Sequence, residues 1–228
     1  MASVTKSTTI TEYASFVSSI YSIANDRYYT LWDMLSNIQR FAMRSVKGVR
    51  KHNTEKTKFN TTIALSWFTS LMNQLHIDMG EIIWKRFPYM CSYCGEAPCR
   101  CKEEKVKTRR KISGDESKRP RTLEEFQVMF GRIYPKEGRT VQDAAIHFAE
   151  ETGELSEAFH AYMGDRSTVH LERVYAESAD FFSCAMGLLN SVGADWLGEV
   201  STVFAYGCHV CHKIPCVCTF DSVVKFRS

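Results

Sequence analysis

Eight of the nine cysteines in this 228-residue chain fall into two clusters of identical spacing. Cys91, Cys94, Cys99 and Cys101 lie within MCSYCGEAPCRC, and Cys208, Cys211, Cys216 and Cys218 within GCHVCHKIPCVC. Both read C-x2-C-x4-C-x-C, with a proline (Pro98 or Pro215) just before the third cysteine. A matched spacing 117 residues apart is hard to reach by chance and marks an internal duplication. Thiolates at this density suit tetrahedral zinc in a closed, structural site. His209 and His212 can stand in for a cysteine in the second cluster, but the first has neither, so four cysteines per cluster are the expected ligands. Free buried thiols, a redox switch and an iron–sulfur cluster are the alternatives. Cys184, on the apolar face of a helix, reads as core.

Weaker matches extend upstream. Ile23 to Asp33 aligns with Ile133 to Asp143 at an offset of 110, with Thr30 on Thr140. At an offset of 117, Asp78 falls on Asp195 and Phe87-Pro-Tyr-Met on Phe204-Ala-Tyr-Gly. The change in offset puts a seven-residue insertion in the second copy, expected in a loop between helices. The chain therefore divides into a first copy, 1–101, a charged linker, 102–122, and a second copy, 123–228. The linker, KEEKVKTRRKISGDESKRPRT, is almost free of large apolar residues and reads as a mobile, solvated tether. A basic arm that works with the zinc knuckles on nucleic acid is the less favoured alternative.

A hydrophobic content of 44% is enough for a normal core, and a net charge of +3 singles out no partner. No stretch has the basic start, apolar run and small-residue cleavage site of a signal peptide. Bunched cysteines without such a segment fit metal ligation in a reduced, cytoplasmic setting. The most apolar stretch, Phe181 to Trp196, is broken by Ser, Asn, Gly and Asp, so no membrane partner is expected.

Apolar residues recur at helical spacing in both copies. Helices are expected over Ile10–Ala24, Thr30–Lys47, Thr61–Leu75 and Met79–Arg86, then over Thr140–Tyr162 and Leu171–Val192. Gly164 and Gly193 serve as stops, and Asp195 caps a short helix before the second cluster. No run alternates with period two, so the fold class is all-α.

The second copy carries Glu150-Glu151-Thr-Gly-Glu154 on one helix and Glu177-Ser-Ala-Asp180 on the next. Residues three apart share a helix face, so antiparallel packing makes Glu151, Glu154, Glu177 and Asp180 a cage. Four like charges together are costly unless cations neutralise them. Hard oxygen ligands suit Mg²⁺ or Mn²⁺. The opposite reading, exposed helix faces filled with Glu, fits Glu157 and Glu172.

FAEETGELSEAF followed by YAESADFFSCAMGLL resembles the all-α MazG-type nucleotide pyrophosphohydrolases, whose signature is ExxE, a spacer, then ExxD. The 22 residues between Glu154 and Glu177 fall within that family's range, and the resemblance spans about Phe126 to Val200. It implies a helical bundle that hydrolyses a nucleoside triphosphate between its α and β phosphates with Mg²⁺ or Mn²⁺. Glu151, Glu154, Glu177 and Asp180 would be the ligands, and Glu150 an accessory carboxylate for the attacking water. The basic or amide residue that often follows the second acidic helix is replaced here by the cysteine cluster, with Lys213 nearby.

In the first copy the same positions are Phe41, Arg44, Asn60 and Ile63, so that metal site is gone. Residues 1–90 hold 11 Lys and Arg against 6 Asp and Glu, whereas residues 123–204 hold 5 against 14. Family units work as dimers, which makes the first copy the built-in partner of a pseudo-dimer. Arg40, Arg44, Lys47 or Arg50 would then reach the triphosphate, or else serve as surface charges. Trp32, Tyr134 and Trp196 are candidates to stack on the base, or core. A silent nucleotide sensor and a zinc-knuckle nucleic-acid binder are the alternative functions.

Overall fold

The structure, a computed structural model, describes residues 4–226. Residues 1–3 and 227–228, the outer ends of the two expected copies, lie outside it. Among the described residues there are ten α-helices and no strand. The first half holds α1 (Ile10–Tyr28), α2 (Leu31–Arg50), α3 (Thr54–Gln74) and α4 (Met79–Arg86), and its cysteine cluster ends in α5 (Cys101–Glu104). The second half holds α6 (Leu123–Ile133), α7 (Val141–Asp165), α8 (Thr168–Ser191) and α9 (Trp196–Val203). After its cluster comes α10 (Phe220–Lys225).

Local sequence sets most of the helix starts. Thr9, Thr30, Thr122 and Thr140 each cap the helix that follows, and an acidic residue three positions on closes a capping box. Each such cap contributes roughly 1 kcal/mol by satisfying free N–H groups of the first turn. Asn53 and Ser167 cap α3 and α8 several residues before the starts expected from apolar periodicity. Asp195 sits at the cap of α9 without a side-chain bond; the Trp196 N–H donates instead to Gln127 Oε1 at 2.8 Å. Gly193 ends α8 with φ +68°, as expected, but α7 runs through Gly164 to Asp165.

The seven extra residues of the second half do not make a loop. α7 runs five residues further than α2, α8 starts three residues earlier than α3, and the connection is one residue shorter. The insertion therefore lengthens both arms of one helical hairpin, and α7 and α8 carry the acidic residues on those arms.

Packing corrects the alignment at the start of each half. Asn73 Nδ2 donates to the Ala14 carbonyl at 2.9 Å, and Asn190 Nδ2 to the Gln127 carbonyl at 3.3 Å. Ile10 N–H donates to Arg121 O while Leu123 N–H donates to Thr8 O, a reciprocal bridge between the halves. These pairs put α1 on α6 at an offset of 113, not 110. The stretch from the start of α1 to the cap Thr30 is then three residues longer than that from the start of α6 to the equivalent Thr140.

The halves exchange their ends. α4 packs on α8 and α9 packs on α3, so each half's short fourth helix lies against the other half. Cys99 N–H donates to Ile133 O, and Cys216 N–H to Ile20 O, both at 2.7 Å. Phe87 meets Tyr134 edge-on at 6.3 Å, and Phe204 meets Tyr21 in the same way at 6.2 Å. Between them lies one continuous core, with Tyr13 against Trp196 (5.2 Å) and Phe68 against Phe181 (5.0 Å). Trp196, a stacking candidate in the sequence, is fully buried there.

The charged linker is not a free tether. Its residues are largely exposed, yet Arg110 bridges Glu96 and Glu104, and Trp84 Nε1 donates to Glu116 Oε1 at 2.6 Å. Arg119 pairs with Glu81 at 2.8 Å, and Gly114 sits against the faces of Pro88 and Trp84. Charge that adds nothing to a core still fastens this strap through ion pairs along the first half.

Candidate functional site

Each cysteine cluster brings its four Sγ atoms within 4.8 Å of one another, and no disulfide forms. Each could hold a structural zinc ion. Within each cluster, hydrogen bonds from Cys99 and Cys216 lower the pKa of Cys91 and Cys208, and the same contacts raise that of Cys99 and Cys216, so one thiolate per cluster is favoured before any metal binds. His209 is no ligand. Its Nδ1 meets Tyr21 Oη at 2.8 Å, and its ring is buried among Phe41, Phe59, Phe204 and Phe226. Burial pulls its pKa down to about 4.

The acidic residues converge where α7 and α8 pack. Oxygens of Glu151, Glu177 and Asp180 lie within 4.8 Å of one another. Asp180 is buried, and Glu151 and Glu177 are half-buried. Glu154 is exposed one turn on and joins the group through its field, helping to raise the pKa of Glu151 and Glu177. Glu150 points to solvent outside the close group. Burial, then the charges of Asp180, Glu154 and Glu177, push Glu151 up to about 8. Burial and the neighbouring acids also raise Glu177. Glu151 Oε2 and Glu177 Oε2 are buried with no hydrogen-bond partner. Buried carboxylate oxygens of this kind are costly unless a cation meets them.

The partner cations come from residues that the sequence did not single out. Arg86, the last residue of α4, donates through Nε to Asp180 Oδ1 at 3.0 Å and through Nη2 to Oδ2, a bidentate pair. Arg109, in the linker, brings Nη2 to 3.6 Å from Asp180 Oδ2. Arg86 reaches the cluster because α4 crosses to the other half, and Arg109 because the chain leaving the first cluster doubles back. Neither crossing has a signature in local periodicity. The basic residues that the charge split did suggest lie elsewhere. Arg40 donates to the carbonyls of Val223, Val224 and Phe226, and Arg44 to that of Phe226. Lys47 and Arg50 are exposed on α2. Arg40 and Arg44 thus clasp the C-terminal segment rather than the acidic group.

A cleft of about 560 Å³ runs from Glu151 and Asp180 to the first cysteine cluster. Tyr93, Cys99 and Cys101 of the first half, with Lys102 and Arg109 of the linker, form one wall. Tyr134, Arg139, His147 and Cys184 line the other side. Of the aromatic candidates, Tyr134 lines this cleft, whereas Trp32 lies outside it against Phe159 and His160. Cys184, expected in the core, is half-buried at the cleft wall.

The same hollow in the first half is closed. Phe41 and Ile63, in place of Glu151 and Asp180, are fully buried. Phe226 and His209 fill the space against Phe41 and Phe59.

Comparison with protein-family models, with curated proteins and with solved structures finds no match.

Proposed function

We propose that the protein is a Mg²⁺- or Mn²⁺-dependent nucleoside triphosphate pyrophosphohydrolase with one active site, in the second half of a MazG-like pseudo-dimer. The observation that carries this reading is the Glu151–Glu177–Asp180 group, with two unpartnered buried oxygens, opening into a cleft with cationic side chains on its walls. Glu151, Glu177 and Asp180 would hold the ion, with Glu154 beside them. Once bound, the ion supplies Lewis-acid polarisation of the phosphate and a lowered pKa for attacking water. Glu154, the exposed carboxylate of the set, accepts the proton that the water loses. Water oxygen bonds to the α phosphorus, the bond from that phosphorus to the α–β bridging oxygen breaks, and pyrophosphate leaves with the bond's electron pair. The first half is the fixed partner. It contributes the apolar face that packs on α7 and α8, and it brings Arg86 to Asp180.

The bidentate hold of Arg86 on Asp180 favours one second reading. A carboxylate already neutralised by an arginine suits a protein that binds nucleotide without cleaving it. Pyrophosphate release from a panel of ribo- and deoxyribonucleoside triphosphates with Mg²⁺ or Mn²⁺ separates the two. Release that disappears in Asp180→Asn supports the hydrolase; binding without release from any member overturns it.

A further inference from the structure

The duplication supplies an internal control, because the halves keep one frame and differ at the hollow. Arg139 directly precedes the capping Thr140, and Tyr29 directly precedes the equivalent Thr30. Arg109 and Phe226 each stand eight residues beyond the last cysteine of their cluster. In the first half, Tyr29 packs edge-on against Trp67 at 5.1 Å and Phe226 packs over Phe41. Both positions are aromatic where the acids are absent, and both are arginine where the acids are present.

The two arginines do not behave as mere counter-ions. Arg86 already holds Asp180 through both of its oxygens, with only 20% of its side chain exposed. Arg109 is 44% exposed, rests over the Tyr93 ring at 5.7 Å, and meets Asp180 only at 3.6 Å, beyond a good hydrogen bond. Arg139 makes no ion pair among the described residues. It lies over the Tyr134 ring at 5.3 Å, donates to the Tyr134 carbonyl at 3.3 Å, and presses on α8 at Gly187. A β-carbon at Gly187 would stand 2.9 Å from both of its terminal nitrogens; the matching residue in α3 is Ser70. The missing side chain lets Arg139 seat beside the cleft.

A cleft with carboxylates at one end and arginines along the walls suits a phosphate chain that shares a divalent ion with the carboxylates. Guanidinium groups match phosphate oxygens two at a time and stay charged. We propose that Arg109 and Arg139 bind the phosphate chain of the substrate. The linker segment that leaves the first cysteine cluster thus completes the cleft. The naming of that substrate as a nucleoside triphosphate rests on the hydrolase reading; the phosphate contact does not.

Inorganic tripolyphosphate with Mg²⁺ serves as a base-independent probe, with binding followed by calorimetry on the full chain. Arg109→Ala and Arg139→Ala are each expected to weaken binding by about tenfold or more, the scale of a lost charge-assisted contact. Lys107→Ala, an exposed neighbour, is expected to change it less than about twofold. Arg109→Lys should recover part of the loss, which separates contact from bulk. Arginine variants that bind as tightly as the unaltered protein overturn the proposal, as does a loss equally large in Lys107→Ala. The hydrolase reading is judged separately, by pyrophosphate release from the unaltered protein. Arginine-dependent binding without release sinks that reading alone; release without arginine dependence sinks this proposal alone.

Discussion

The hollow above Asp180 and the hollow above Ile63 are built on matching helical hairpins, with matching caps and matching cross-half hydrogen bonds. One is lined by buried and half-buried carboxylates and opens to a cleft; the other is packed with aromatic rings. The comparison separates two requirements that usually overlap in one protein. Frame residues such as Thr30 and Thr140, or Asn73 and Asn190, keep their type in both halves because caps and cross-helix bonds are needed wherever the frame is. Residues facing the hollow change together. A single carboxylate kept beside Phe41 would be buried without a partner, at a cost of several kcal/mol.

The strongest way to break the comparison is to make the open half like the closed one. Glu151→Gln or Asp180→Asn should lower pyrophosphate release by about a thousandfold or more, as expected when transition-state charge stabilisation is lost. Asn60→Gln in the first half should leave the rate unchanged. An equal loss at both positions would erase the difference between the halves.

The cysteine clusters are next. Cys91→Ser and Cys208→Ser should each reduce bound zinc from two ions to one, since the two four-cysteine groups are separate. Each should also lower the melting temperature, because metal affinity is folding free energy. Only the Cys91 change should weaken tripolyphosphate binding, because only the first cluster walls the open cleft. Metal analysis with thermal denaturation and calorimetry checks all three outcomes.

In the shared core, Phe68→Ala should cost about 3–5 kcal/mol in chemical denaturation. Phe226→Ala should cost less, because Phe226 is only half-buried over the closed hollow. Reversal of that order would mean that the C-terminal segment carries the fold.

A pH experiment addresses the open hollow alone. Glu151 titrates at about 8, well above its ordinary 4.5. Its folded-state pKa is raised, so the stability carried by its neutral form is complete below the unfolded value. That stability is lost as pH rises through the folded value. Without a divalent ion, the melting temperature should fall as pH rises from the ordinary value of 4.5 to about 8, and level off above it. With saturating Mg²⁺ the fall should flatten, because the ion takes the place of the proton. A curve unaffected by Mg²⁺ would place the ion elsewhere.

The smallest expected effect tests the seat of Arg139. In Gly187→Ala the new methyl displaces the guanidinium, the flexible end of a side chain. The change gains up to about 1 kcal/mol of helix propensity. Stability should stay near its starting value while tripolyphosphate binding weakens.

Much of this molecule was legible along the chain. Cysteine spacing paired two matching clusters, helical periodicity located most helices, and three-residue spacing set Glu177 with Asp180, although it also grouped Glu154, which lies exposed outside the close acidic group. These are local signals: each depends on one turn or one cluster. Identities around Ile23 and Ile133 put α1 three residues out of register with α6, and nothing in the offset itself says that the seven added residues lengthen two helices rather than a loop. The charge split between the halves pointed to Arg40, Arg44 and Lys47, but net charge has no direction. Those side chains serve the C-terminal segment or solvent.

What only the tertiary structure decided is which distant residues share the hollow. Arg86 reaches Asp180 because α4 packs on the opposite half, Arg109 because the strap after the first cluster folds back, and Arg139 because Gly187 leaves it room. Helix periodicity says which residues share a face, and a cysteine pattern says which residues share a metal. Neither says which face meets which. That choice is made by the exchange of ends between the halves, where shape and buried area are matched over the whole core at once.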